Sequence, residues 1–229
     1  ITGLTEHPSV LETAQYLETK GIDVTWLGPG PDGAVRPEDV EAAIRPDTFL
    51  VSIMAANNEI GTITDVDAIG EICGKHGVPF MSDAVQAYGK IPVRPKKSNI
   101  SLLSITGHKI YAPKGIGALY LAPGISVTPL LHGGAQEGGF RAGTENVGNI
   151  MALGLAAKLA GEEMAGEARR LTALRDDFLA RLKELEPGLI VNGSMENRLP
   201  NNLNVGFKGI DGGTLLLSLN RIGVFVTST

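Results

Sequence analysis

The run TFLVSIMAA, residues 48–56, restricts the fold more than any other stretch of the chain. It is continuous in apolar character and of strand length, so its side chains must be buried whichever way they point. A strand covered on both faces belongs inside a parallel sheet flanked by helices. Its neighbours in the sequence agree. HPSVLETAQYLETKG (7–21) reads as a helix of about three turns, opened by Pro8 and stopped at Gly21. IDVTWLG (22–28) alternates like a strand and ends in the turn cluster GPGPDG. RPEDVEAAI (36–44) is a short helix with Pro37 at its start and acids in the first turn, where the helix dipole favours them. DVDAIGEICGKHG (65–77) returns to helix, while VPFMSDAV (78–85), ISLLSITG (100–107) and GALYLAP (117–123) read as strands. This βαβα rhythm predicts an α/β fold with a mostly parallel sheet covered by helices on both faces.

The character changes after residue 145. Residues 146–185 read as one long helical region, with a kink allowed between its halves; Leu171, Leu174, Phe178, Leu182 and Leu185 recur at helical spacing. GLIVNG (188–193) and NNLNVGF (201–207) look like strands, DGGTLLLSLNRIG (211–223) like a helix, and VFVTST (224–229) like a further strand. The division expected is a large α/β domain over residues 1–150, then a linking helix and part of a smaller α+β domain over 151–229.

Composition narrows the class. The 229 residues carry 25 acidic and 20 basic side chains with no block of like charge, which argues against nucleic-acid and membrane-surface partners. No run approaches the roughly 18 apolar residues of a membrane span. The single cysteine, Cys73, excludes an internal disulfide and fits a reducing, cytoplasmic setting. It sits mid-helix beside Ile69 and Ile72, where burial would raise its pKa and suppress reactivity.

Ligands of open parallel sheets sit at the carboxyl ends of the strands. Polar residues collect at those ends here. Asn57-Asn58-Glu59 follows the first buried run, Ser82-Asp83-Ala84-Val85-Gln86 ends the second, and Thr106-Gly107-His108-Lys109 ends the third. Thr5-Glu6-His7 precedes the first helix. Each has a plainer reading alone: Asn58 as a turn residue, Asp83 as a helix cap, Lys109 as a solvated side chain, His7 and His108 as core or surface histidines. Delivered together to one edge by successive strands, an amide, a carboxylate, an imidazole and an amine make a small-molecule site. Pyridoxal-phosphate catalysis uses all four: a lysine binds the cofactor aldehyde, and a carboxylate keeps the pyridine nitrogen protonated so that the ring withdraws electrons.

TEHPSV, NNEIG, SDAVQA, TGHKIYAPKGIGALY and GGAQEGGFRAGTENV, in that order, resemble the cysteine desulfurases of the class V aminotransferase group, of fold type I. The resemblance implies that Lys109 bonds the aldehyde of pyridoxal 5'-phosphate, that Asp83 pairs with the pyridinium, and that Gln86 hydrogen-bonds the phenolic oxygen. It implies that His7 stacks on the ring and serves in proton transfer, and that Asn58 contacts the ring oxygen and the substrate carboxylate. Thr106 and His108 would bind the phosphate, with Thr106 standing where relatives often have Ser. Thr144 would reach the phosphate of the neighbouring subunit in a homodimer. The activity implied is conversion of L-cysteine to L-alanine, the sulfur leaving as an enzyme persulfide for iron–sulfur cluster assembly or thiolation, with a sulfur-acceptor or scaffold protein as partner.

In such relatives a phosphate-binding loop precedes TEHPSV, and a catalytic cysteine and a carboxylate-binding arginine follow the position of Thr229, so these 229 residues alone are expected to be inactive. The alternatives are a selenocysteine lyase or another class V aminotransferase, and a truncated, non-catalytic homologue serving as a binding module. GGAQEGGF is no dinucleotide fingerprint, because it lacks the G-x-G-x-x-G spacing between strand and helix.

Overall fold

The computed structural model describes residues 1–228. Six strands form one sheet: β1 (Thr2–Gly3), β2 (Trp26–Leu27), β3 (Val51–Ser52), β4 (Phe80–Asp83), β5 (Leu102–Thr106) and β6 (Gly117–Leu121), in the order β2-β1-β3-β4-β5-β6. The first five run parallel, and β6 returns antiparallel to β5. The expected mostly parallel α/β sheet is therefore present. Several strands are shorter than their apolar runs, because ladder pairing engages only the residues that face a neighbouring strand. In TFLVSIMAA only Val51–Ser52 counts as strand, yet Val51, Ile53, Met54, Ala55 and Ala56 are all buried.

Helices alternate with the strands as the sequence predicts. α1 (Pro8–Glu18) has Pro8 in its first turn and His7 as its N-cap. α2 (Pro37–Ala43) carries Glu38 and Asp39 in its first turn. α3 (Val66–His76) starts with the Asp65 carboxylate accepting the Ala68 N–H and stops at Gly77, whose left-handed φ of 67° suits glycine. The inner face of α3 buries Ile69 and Cys73 in the main core with Val51, Phe80, Val40 and Leu103, and Ile72 is buried beside them on the same helix. Cys73 is fully buried, as its helical neighbours suggested, and burial pushes its thiol up to about 11.

Residues 147–185 form a single helix, α4 (Val147–Leu185), of 39 residues, with no interruption between its halves. Beyond it lie a two-stranded antiparallel ribbon, β7 (Ile190–Val191) and β8 (Val205–Gly206), and α5 (Gly212–Arg221). The segment between β7 and β8 packs back on the sheet domain. Leu199 is 2% exposed within the core, the Leu199 N–H donates to the Gly61 carbonyl at 2.8 Å, and Ser194 N–H reaches Thr62 Oγ1 at 3.2 Å. The strand expected over 224–229 does not form over 224–228, which pair with no strand among the described residues; Thr229 lies outside them. A strand without a neighbour has no ladder to hold it.

Close packing of α3 against backbone rests on Gly70. A Cβ on Gly70 would stand 1.8 Å from the Ser98 carbonyl oxygen, which belongs to backbone and cannot swing aside. A Cβ on Gly166, in α4, would meet nothing within 4 Å. Gly70→Ala is expected to lower stability by ~2 kcal/mol or more through overpacking. Gly166→Ala is expected to raise it by about 0.5–1 kcal/mol, as alanine replaces glycine in a helix interior. Urea midpoints of the two variants should therefore move in opposite directions.

Candidate active site

All of the residues singled out in the sequence except Thr144 sit at or just beyond the carboxyl ends of the parallel strands. β1 leads into Glu6 and His7, β3 into Asn57 and Asn58, β4 ends on Asp83, and β5 ends on Thr106 with a single 3-10 turn, Gly107–Lys109, behind it. Adjacent strands lie about 4.8 Å apart, so these groups are side by side. Backbone bonds lock the junctions: Ala55 N–H donates to the Asp83 carbonyl at 2.8 Å, and Ala84 N–H to the Ser104 carbonyl at 3.0 Å. Asp83 is 8% exposed, and its Oδ1 accepts the Val85 N–H at 2.8 Å, starting the turn that carries Gln86.

The lysine is placed by the β5–β6 hairpin. Thr106 pairs with Gly117, and the Gly107 N–H donates to the Ile116 carbonyl at 2.9 Å, so Lys109 occupies the reversal between two paired strands. A Cβ on Gly107 would lie 2.8 Å from Ile116 Cγ2 and 3.0 Å from Ala112 Cβ, which accounts for glycine between Thr106 and His108. Thr106 Oγ1 and His108 Nδ1 lie 3.1 Å apart, hydroxyl beside imidazole. Lys109 is exposed and lines a cavity of about 390 Å³ between this turn, Gly89–Lys90 and α4. His7 is exposed; its Nδ1 accepts the Ser9 N–H at 3.2 Å and lies 2.9 Å from Ser9 Oγ. Asn58 is half-buried and donates through Nδ2 to Glu59 Oε1 at 2.7 Å. Thr144 stands apart, exposed on the segment leading to α4, and makes no hydrogen bond to the other seven among the described residues.

Three further residues take part in this architecture that the motif reading passed over. Asn57 is buried: its Nδ2 donates to the Thr5 carbonyl at 2.8 Å and its Oδ1 accepts the Glu59 and Ile60 N–H groups, stitching the segment before α1 to the turn after β3. Glu6 is 4% exposed, and its Oε1 accepts the Met54 N–H at 2.6 Å. Its Oε2 is buried without a partner among the described residues. Burial pushes the Glu6 carboxyl up to about 8, the Met54 N–H opposes this, and the Asp83 carboxylate adds to it. Lys90 is the third, bonded to Gln86. An acid directly behind a buried strand, and a lysine four residues after Gln86, were the available signals in the sequence.

The donor set suits pyridoxal phosphate. An exposed amine can take an aldehyde, a buried carboxylate can pair with a ring nitrogen, and a hydroxyl beside an imidazole can receive phosphate oxygens. No cluster of metal-ligating side chains occurs among the described residues. No helix among them is long and apolar enough to cross a membrane.

The pattern of the Aminotransferase class-V family matches residues 1–228. The chain belongs to that family. Its residues are 47% identical over 226 positions to "Cysteine desulfurase IscS" of Histophilus somni, covering 98% of this chain and 56% of that protein. They are 45% identical over 228 positions to "Cysteine desulfurase IscS" of Dictyoglomus turgidum, covering 100% and 58%. A solved structure titled "NIFS-LIKE PROTEIN" superposes with a TM-score of 0.95 at 40% identity, over 100% of this chain and 62% of that one. The chain thus spans little more than half the length of the curated relatives it matches. As a class V aminotransferase domain it has the large, mostly parallel sheet of the NifS-like structures, and the strand ends described above are where its polar residues converge.

Glu6 gives this site a pH signature. A carboxyl whose folded pKa is raised binds its proton more tightly in the folded state, so its contribution is full below the unfolded value and is lost as pH climbs to about 8. Glu6→Gln removes that loss. Relative to Glu6→Gln, wild type is expected to lose up to roughly 4 kcal/mol between pH 5 and pH 9. Urea denaturation of both proteins at pH 5, 7 and 9 measures it; a constant difference across the series would contradict a raised Glu6.

Proposed function

We propose that the chain is the cofactor-binding portion of a pyridoxal-phosphate-dependent cysteine desulfurase. The observation that carries the proposal is the delivery of Lys109, Asp83 and Gln86 to one sheet edge, in a chain 47% identical to an IscS. When bound, the cofactor supplies an electron sink that loosens bonds at the substrate carbon. The chain's own residues do the holding. Lys109 is the amine that bonds the aldehyde, Asp83 keeps the ring nitrogen protonated, and Gln86 faces the ring oxygen. Thr106 and His108 take phosphate oxygens. His7, at the N-cap of α1 and tied through Nδ1 to Ser9, stacks on the ring and moves a proton at its other nitrogen. Asn58 holds the substrate carboxylate.

On this reading L-cysteine is the substrate and L-alanine the product, with the sulfur passed through a protein persulfide to an acceptor or scaffold protein. Cys73 is not the thiol that takes it, since burial both hides it and raises its pKa. Thr144, exposed before α4, serves the phosphate of a second copy, which makes the active form a homodimer. The division into a large domain over 1–150 and a linking helix with part of a small domain over 151–229, and a cytoplasmic location, belong to the same proposal.

Borohydride reduction of the holoenzyme followed by peptide mass spectrometry tests it. The reduced cofactor is expected on the peptide containing Lys109, and Lys109→Ala is expected to lose that adduct. Adducts scattered over surface lysines, with Lys109 unmodified, would overturn the assignment.

A further inference from the structure

The functional reading leaves Lys90 without a role, although its position is costly to build. The turn after β4 folds back through Tyr88 N–H to the Ala84 carbonyl (2.8 Å) and Lys90 N–H to the Ala87 carbonyl (3.0 Å). Gly89 closes it with a φ of 76°. A Cβ there would stand 2.8 Å from Ile110 Cγ2 and 3.1 Å from Ala160 Cβ, so the turn is pressed against both the loop after Lys109 and α4. The result is a half-buried ammonium on the wall of the cavity that Lys109 also lines.

Lys90 Nζ donates to the Gln86 carbonyl oxygen at 2.9 Å and to Gln86 Oε1 at 3.2 Å. A lysine ammonium has three donors and no acceptor. The Gln86 amide can therefore meet it only through oxygen, and its NH2 is the end left to serve the site. We infer that Lys90 is the positioning residue for Gln86: by holding the amide oxygen it makes Gln86 a hydrogen-bond donor toward the ligand beside Lys109, and it adds a second positive charge to that side of the site. The inference rests on the cofactor reading above for the identity of the ligand, though not for the Lys90–Gln86 contact. Burial holds the Lys90 ammonium down at about 8, and the Lys109 charge acts in the same direction. Tyr111, Glu163 and Glu167 also line the cavity, and Glu167 is engaged by Arg170 at 2.7 Å.

Two measurements on the full chain test this. In protein prepared without added cofactor, the pH dependence of Lys90 acetylation is followed by peptide mass spectrometry, in wild type and in Gln86→Leu. The wild-type midpoint is expected near pH 8, and Gln86→Leu should lower it by about one unit, since the ammonium loses the side-chain oxygen and keeps only the backbone carbonyl of residue 86. An unchanged midpoint would overturn the contact. In the holoenzyme, the visible absorbance of bound cofactor is titrated against pH in wild type, Lys90→Met and Lys90→Arg. Lys90→Met should raise the midpoint by about one unit, because a nearby positive charge is gone, and Lys90→Arg should restore most of it. Coincident titrations in all three would overturn the positioning role. Absence of any cofactor band in wild type would overturn the cofactor reading instead, while the acetylation midpoints still decide the contact.

Discussion

Strands that run the same way must finish on the same edge. The parallel pairing of β1, β3, β4 and β5 is the constraint on which the rest of this molecule depends. The crossovers into β2, β3 and β4 each spend a helix, and the one into β5 a run of turns, to return the chain to the starting edge, so every strand can bring a fresh polar side chain to the finishing one. Glu6 and His7, Asn57 and Asn58, Asp83, and Thr106 with His108 and Lys109 come from segments far apart in sequence and meet only because the ladder is parallel. Burying the strands on both faces is what holds that ladder, and residues such as Val51, Ile53, Phe80 and Leu103 supply the burial.

Charge in this edge is arranged as two like pairs. The Asp83 carboxylate adds to the upward push that burial gives Glu6, and the Lys109 charge adds to the downward push that burial gives Lys90. Like charges in a partly dry site disfavour double ionisation. At the first pair burial dominates: Glu6 lies deep, and its carboxyl is pushed up to about 8. At the second pair burial holds the Lys90 ammonium, bonded to Gln86, down at about 8. Paired ionisable groups of this kind can answer an added charge by changing their own protonation, without a large rearrangement.

The architecture was legible wherever burial forces a pattern. The apolar run around Val51, the capping signals at Asp65 and Gly77, and the alternation of helix and strand all reflect local chemistry that a sequence displays directly. The lengths of β2, β7 and β8 were not legible, because ladder pairing depends on a neighbour and not on the strand itself. Residues 224–228 show the same limit: their β-branched character favours extension, yet pairing decides. Within the site, Lys109, Asp83 and Gln86 stood out through their place after apolar strands. Glu6, Asn57 and Lys90 gave weaker signals, since what they do depends on contacts with Met54, Thr5 and Gln86 that form only on folding.

Lys109 sits at the reversal of a hairpin whose two strands are paired at every position from Leu102↔Leu121 to Thr106↔Gly117. Pairing of this kind moves only in whole residues, and a single step turns each side chain to the opposite face. The lysine's location is therefore quantised: it is right, or it is wrong by a full strand repeat of about 3.4 Å. No gradual series of substitutions in β5 or β6 can shift the amine by a few tenths of an ångström. Fine adjustment of this centre has to come from the surrounding groups, which can lean, rotate or change charge while the hairpin stays fixed.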